Sequence, residues 1–332
     1  MVAAPRPVRT GASTESAHNP GALGRVHGVG GVWKTDPMPE SPEVQALVEE
    51  LGTQLAGRTI TDVDVLEFRV VKTRARPPSS LVGERVTGAT RHGKHVSLEV
   101  GESQHLVVSL GRHGWARWRN GDGDGGSEAA VAYDAPVTGA ADADADAAPA
   151  PALVSIEFDD GRTLEFTDAG GWVSLGLFVV GDAGEVPAIA KLGPDPADPD
   201  FTRDQFDAAL GGRRKQIKAI LQEQESLAGI GNAYSVEILH LAKVSPVTHA
   251  ASLDEGAADR LFAATLTTVR EAIDARIGVP IDLLKARKVA AMRVHGRTGE
   301  ACPVCGDTVR DLTFSGTSAQ YCPTCQNGGV PL

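Results

Sequence analysis

The stretch CPVCGDTVRDLTFSGTSAQYCPTC, residues 302–325, carries two knuckles, Cys302-Pro-Val-Cys305 and Cys322-Pro-Thr-Cys325, with sixteen residues between them. Two Cys-x-x-Cys knuckles at this separation set four thiolates tetrahedrally around one Zn²⁺ and leave Asp311 to Tyr321 free to form a β-hairpin. A catalytic zinc keeps one position open to water. Four cysteines close the shell, so the expected cofactor is one structural zinc that holds the hairpin. These are the only cysteines among 332 residues. They are too few and too local to staple a chain of this size, which argues for a reducing compartment; redox chemistry is the less favoured reading.

Upstream of this module, set at residues 297–332, the chain reads as helical from 201 to 296, with segments near 202–210, 213–223, 232–241 and 253–277. Ser252 and Glu255 have capping-box spacing, and Gly278 is a suitable stop after a stripe of Leu261, Ala264, Leu266, Val269 and Ile273. Within this region lies Leu227-Ala-Gly-Ile-Gly-Asn232. Paired glycines allow a tight turn and a close backbone approach, so the amides and Asn232 could grip a phosphate at a helix start. A plain turn between packed helices would explain the same pattern. Arg213, Arg214, Lys215 and Lys218 just before it shift the balance toward a polyanion.

The Pro- and Asp-rich run Gly193 to Pro199 marks a boundary near 200. Before it, β-rich runs at 60–65, 86–90, 96–100, 106–110, 154–158, 163–166 and 172–180 predict an antiparallel sandwich over 38–200. A flanking helix opens this domain, since Val44, Leu47, Val48, Leu51 and Leu55 follow a helical stripe behind Pro42. The fold class expected is therefore α+β and multidomain. It comprises a β-sandwich with a flanking helix, a helical domain and a four-cysteine hairpin.

The net charge of −11 argues at first against a nucleic-acid partner. The acid is localised, however. Residues 120–151 hold seven acids and no base in a Gly, Ala, Asp and Pro background, and read as a disordered insertion. Residues 1–37 show no period and read as a disordered tail. No apolar run approaches the roughly 20 residues of a membrane span, so a cytoplasmic, soluble protein is expected.

Met38-Pro39-Glu40-Ser41-Pro42-Glu43 precedes the first helix, where Pro42 and Glu43 are also ordinary capping residues. This Pro-Glu, the strand-bordering lysine of Arg91-His-Gly-Lys94, Gly-Ile-Gly-Asn232 between helices, and the cysteine hairpin follow one another in a specific order. Together they resemble the formamidopyrimidine-DNA glycosylase and endonuclease VIII family, from Met38 to Cys325. The resemblance implies a helix-two-turn-helix domain and a base-excision enzyme, monomeric and nucleoid-associated in a bacterium, that acts on damaged double-stranded DNA. It implies that Pro39, freed of its methionine, attacks the sugar with its secondary amine. Glu40 would be the general acid and base, and Lys94 would contact phosphate and assist proton transfer. Glu43 matches a second carboxylate near the amine. Arg91, Lys218, Gly231 and Asn232 would serve DNA binding. A terminal amine with pKa near 8 is about a tenth neutral at pH 7, against about 0.04% for an ordinary lysine, which favours the terminus as nucleophile.

Four features depart from the family pattern. Residues 1–37 precede the proline, so translation is expected to start at Met38. Thr317 stands where an arginine typically tips the hairpin. Leu110-Gly111-Arg112-His113-Gly114 replaces a methionine-bearing loop, and Arg112 is expected to fill the gap left by an extruded base. The wedge loop reads Asp168-Ala-Gly-Gly-Trp172-Val173, with Trp172 either a stacking wedge or a core residue opening a strand. A lesion-binding member without excision activity, and an unrelated zinc-hairpin interaction module, are the competing functional classes.

Overall fold

The computed structural model describes residues 38–119, 149–314 and 317–332. These fall within one compact unit, Thr35–Leu332. The expected disordered tail and all but the last three residues of the acidic insertion lie outside the described residues.

Helix α1 (Ser41–Leu55) buries Val44, Leu47, Val48, Leu51 and Leu55, the stripe expected from the sequence. Strands β1 (Ile60–Val65), β2 (Val86–His92), β3 (His95–Val100), β4 (Gln104–Ser109), β5 (Gly114–Arg119), β6 (Ala152–Phe158), β7 (Thr163–Asp168) and β8 (Gly176–Val180) follow. They form two four-stranded sheets, β1-β6-β7-β5 and β2-β3-β4-β8, with every neighbouring pair antiparallel. Both sheets and α1 contribute to one hydrophobic cluster, in which Ile156, Leu164 and Phe166 join Leu98, Leu106, Val108 and Leu177. Burying apolar faces at about 25 cal/mol per Å² is what holds the two sheets together.

Two sequence expectations are corrected here. Strand β5, Gly-Trp-Ala-Arg-Trp-Arg, lies outside the expected runs, because its arginines mask the buried Trp115 and Ala116. The last strand begins at Gly176, and Trp172 is 87% exposed, so it is not a core residue.

Helices α2 (Arg203–Leu210), α3 (Ile217–Leu221), α4 (Asn232–Ala242) and α5 (Glu255–Asp274) form a second cluster around Phe206, Ile220, Leu221, Tyr234, Ile238 and Leu261. Helix α3 is shorter than the expected 213–223. The N-cap of α5 is Asp254, whose carboxylate accepts from the Ala257 amide; Ser252 instead closes a short 3-10 turn, so the expected capping box does not form. Gly278 takes φ +81°, but α5 has already ended.

A further helix, α6 (Ile281–Ala291), was not expected from the sequence. Its Ile281 and Leu284 sit in the sandwich core, and Trp115 Nε1 donates to the Ile281 carbonyl at 3.3 Å. Strands β9 (Arg310–Phe314) and β10 (Thr317–Tyr321) form the expected hairpin, and α7 (Pro323–Asn327) closes the chain.

Candidate functional site

Glu40 is the residue before α1, yet its side chain belongs to a different helix. Its carboxylate accepts from the Gly231, Ala233 and Tyr234 amides at the start of α4, the Ala233 bond measuring 3.0 Å. A helix start leaves such amides unpaired and favours negative charge, so residue 40 supplies the cap that α4 lacks locally. The turn before α4 is built for this approach. Ser41 donates to the Gly229 carbonyl at 3.0 Å, and Gly229 has φ +84°, where a Cβ would overlap Ser41 Oγ.

Glu40 is 1% exposed, and beside it Glu43 is equally buried. Glu43 accepts from Tyr234 Oη at 2.6 Å and from the Glu40 amide at 3.2 Å, and pairs with Arg276 Nε at 2.8 Å. Lys288, on α6, bridges both carboxylates, at 3.3 Å from Glu40 and 3.0 Å from Glu43, and donates to the Met38 carbonyl at 2.7 Å. Its ammonium also lies 4.9 Å from the centre of the Tyr234 ring. Two buried carboxylates thus meet two buried cations, which offsets the heavy cost of desolvating each charge.

Burial alone would raise the Glu40 pKa. Lys288, Lys94 and the Gly231 and Ala233 amides outweigh it and hold the carboxyl below its ordinary range. Burial lowers the Lys94 pKa, and Lys288 lowers it further, against the attraction of Glu40. Desolvation brings Lys218 down to about 8, against the opposing pull of Glu40. The buried Tyr234 hydroxyl is held well above its usual value by desolvation and by Glu43.

Of the residues singled out in the sequence, Glu40, Lys94 and Gly231 come together, with Pro39 the chain neighbour of Glu40: a Cβ on Gly231 would stand 2.6 Å from Glu40 Cδ and 2.8 Å from Lys94 Nζ. Lys218 Nζ donates to Asn232 Oδ1 at 2.7 Å, so these two also form a unit. Arg91 does not present a free guanidinium. Only 9% exposed, it is held by Gln45 Oε1, the Gly93 carbonyl and Asp195 Oδ2, and so straps the β2–β3 turn to α1 and to the 194–199 segment.

Arg112 stands exposed in the β4–β5 turn. Its amide donates to Ser174 Oγ at 3.0 Å, and Asp168 accepts from Gly170, Ser174 and Leu175, so the Arg112 turn and the Trp172 loop share one scaffold. Sequence reasoning missed Lys288, Arg276 and Tyr234. Their partners lie far along the chain, and no local spacing signals them.

The four cysteine sulfurs lie within 4.8 Å of one another, with Cys302 to Cys325 at 3.9 Å and Cys305 to Cys322 at 3.3 Å. Tetrahedral zinc with 2.3 Å bonds to sulfur sets sulfurs about 3.8 Å apart, so the all-thiolate donor set fits a structural zinc. The module is locked onto α4. His240 contacts Cys302 Sγ at 3.3 Å, and Glu237 accepts from the amides of Arg293, Val294 and His295.

Family models match three successive segments. These are the formamidopyrimidine-DNA glycosylase N-terminal domain over residues 38–172, the H2TH domain over 192–280, and the zinc finger found in FPG and IleRS over 299–328. A formamidopyrimidine-DNA glycosylase of Rhizorhabdus wittichii is 32% identical over 302 residues, covering 87% of this chain and 100% of the relative. An uncharacterized formamidopyrimidine-DNA glycosylase-like protein of Mycobacterium tuberculosis is 44% identical over 146 residues, 44% of this chain and 91% of its own length. The structure of the Lactococcus lactis Fpg in complex with DNA containing an abasic site superposes with TM-score 0.70 at 25% identity, covering 87% of this chain and 99% of that one. With a relative matched along its whole length, the chain belongs to the formamidopyrimidine-DNA glycosylase family and is a DNA-repair glycosylase with a zinc-finger module.

Proposed function

We propose that the chain excises oxidised bases from damaged double-stranded DNA and then cuts the strand as an abasic-site lyase. The Pro39 nitrogen, once free, attacks C1′ of the damaged nucleotide. The bond from C1′ to the base breaks, the base taking a proton from solvent, and opening of the sugar ring at the C1′–O4′ bond leaves an iminium that joins protein to sugar. That cation acidifies C2′; loss of its proton expels the 3′ phosphate, and a second elimination expels the 5′ phosphate. Glu40, held ionised, acts first as the proton acceptor and then returns the proton during ring opening. Lys94 meets the phosphate beside the lesion and assists proton transfer. Lys218 and Asn232 bind phosphates, whereas the Gly231 amide, expected to do so, is taken by Glu40, and Arg112 enters the gap left by the extruded base. One zinc ion on Cys302, Cys305, Cys322 and Cys325 fixes the hairpin that completes the DNA-binding face. The protein acts as a monomer in the cytoplasm, near the nucleoid.

The observation that carries this reading is the burial of Glu40 against the start of α4, next to Pro39 and within reach of Lys94. Borohydride tests it. A protein beginning at Pro39 should be trapped covalently on abasic-site DNA, while a chain that keeps residues 1–38 should not; equal trapping of both rules out the proline nucleophile. Glu40→Gln should lose base excision while retaining much abasic-site cleavage.

A second reading rests on one observation. In the chain as written, Pro39 is acylated by Met38, whose carbonyl is held by Lys288. An amide nitrogen has no usable lone pair, so a protein retaining Met38 would bind lesions or abasic sites without excising bases.

A further inference from the structure

We propose that Lys288 is a positioning residue that keeps the Pro39 amine neutral, and therefore nucleophilic, by holding a fixed positive charge beside it. The proposal rests on the reading of Pro39 as nucleophile.

The geometry starts from the Met38 carbonyl. Lys288 Nζ lies 2.7 Å from that oxygen, and the oxygen is separated from the Pro39 nitrogen by one C=O and one C–N bond. The ammonium therefore stands no more than about 5.3 Å from the nitrogen that becomes the amine. Once Met38 is removed, the carbonyl goes with it, and Lys288 keeps its two other partners, Glu40 and Glu43. At 2% exposure, it has little water to screen it.

The charged and titratable groups around Glu40 and Glu43, the two carboxylates next to Pro39 in the chain, come from every packed element. Glu40 and Glu43 belong to the α1 entrance, Lys94 to the β2–β3 turn, Lys218 to α3, Tyr234 to α4, Arg276 to the segment after α5 and Lys288 to α6, with His295 beyond it. Both carboxylates are already committed. Glu40 turns toward the α4 amides, and Glu43 toward Tyr234 and Arg276. Lys94, Lys218, Arg276 and Lys288 outnumber the two carboxylates, and the start of α4 adds further positive potential. A like charge at this range disfavours protonation of an amine, the same means by which a neighbouring cation activates a catalytic lysine.

The test is the pH profile of borohydride trapping on abasic-site DNA by protein that begins at Pro39. All described elements belong to the unit starting at Thr35, so this protein retains the whole site. Wild type should trap with a midpoint below pH 8. Lys288→Met should raise the midpoint by about one unit, a tenfold slower reaction at pH 6.5 with an unchanged plateau at pH 9. Lys288→Gln, which keeps a donor toward the carboxylates without the charge, should behave like Lys288→Met, and Lys288→Arg should restore the wild-type midpoint. An unshifted midpoint in folded Lys288→Met or Lys288→Gln overturns the proposal. So does a wild-type amine that titrates at or above pH 8 by ¹⁵N NMR of labelled proline, a measurement independent of any variant's folding. Absence of trapping by wild type at every pH would instead remove the proline nucleophile itself, so the two failures are distinct.

Discussion

The Glu40 carboxylate accepts a hydrogen bond from the Gly231 amide across 191 residues of sequence, and the two residues are fitted so closely that residue 231 has no room for a side chain. A Cβ there would press on Glu40 Cδ at 2.6 Å and Lys94 Nζ at 2.8 Å. Gly231→Ala should therefore displace both groups at once. The expected cost is about 1–3 kcal/mol in urea unfolding. Base excision should fall by about a hundredfold or more, because small displacements of reacting groups weigh heavily on rate. Unchanged excision kinetics in the folded variant would show that Glu40 acts only as a helix cap.

The same carboxylate makes stability depend on acid. Its folded pKa lies below the ordinary value near 4.3, so the unfolded state takes up its proton first as pH falls. The stabilisation is fully present above about 4.3 and is lost as pH drops through the folded value. Glu40→Gln should be less stable than wild type at pH 7 by about 1–3 kcal/mol, with a gap that narrows below pH 4. Urea unfolding at several pH values reads it directly. A gap constant with pH would mean that packing rather than charge is lost.

Much of this architecture is legible locally. The α1 stripe, the strand runs and the knuckle spacing are short-range patterns, and the expected α1 and hairpin form where the sequence puts them. Helix α6 escapes such reading because Asp-Leu-Leu-Lys-Ala-Arg-Lys looks like a solvated face. Only the tertiary structure turns Leu284 into the sandwich core and Lys288 toward two acids. Arg91 fails in the opposite direction: as a basic residue near a turn it suggests a DNA contact, but Asp195, 104 positions away, occupies its guanidinium. Charge type can be read from a sequence, whereas the partner that consumes the charge depends on the fold.

Zinc removal has a specific consequence at α4. The metal module touches this helix through His240 at Cys302, and Gln326 donates to the Val244 carbonyl at 2.9 Å. Cys302→Ala should lose zinc by metal analysis, lower the thermal midpoint by several degrees and weaken DNA binding, because a four-thiolate site holds its fold only with the ion bound. Wild-type zinc content in this variant would contradict the assigned ligand set.

Trp172 sits at the tip of a loop whose backbone is tied down by Asp168, so its exposure is imposed by a fixed scaffold. Trp172→Ala should leave stability within about 0.5 kcal/mol, as for most surface changes. If the ring stacks on a base, affinity for damaged duplex should fall by about 1–3 kcal/mol, the usual worth of a base–aromatic contact. Equal affinity by fluorescence anisotropy would make the ring a bystander.

If Lys218 binds phosphate as proposed, DNA binding should respond to alkaline pH. The lysine's folded pKa of about 8 arises mainly from desolvation, and Asn232 Oδ1 holds the ammonium at 2.7 Å. The sign follows from which form binds an anion. Below pH 8 the lysine is charged and, on the proposed reading, would contact phosphate; as pH rises through about 8 the free protein loses that proton, and affinity should fall by up to about tenfold per unit. Folding responds in the opposite direction. The unfolded lysine keeps its proton to about 10.4, so the desolvation cost fades and stability rises between about 8 and that value. Lys218→Met should abolish the pH step in binding and reduce the salt slope by about 0.9, the share of one phosphate, while Lys218→Arg should keep the slope and lose the step. A pH step that survives in Lys218→Met would assign the titration to another group.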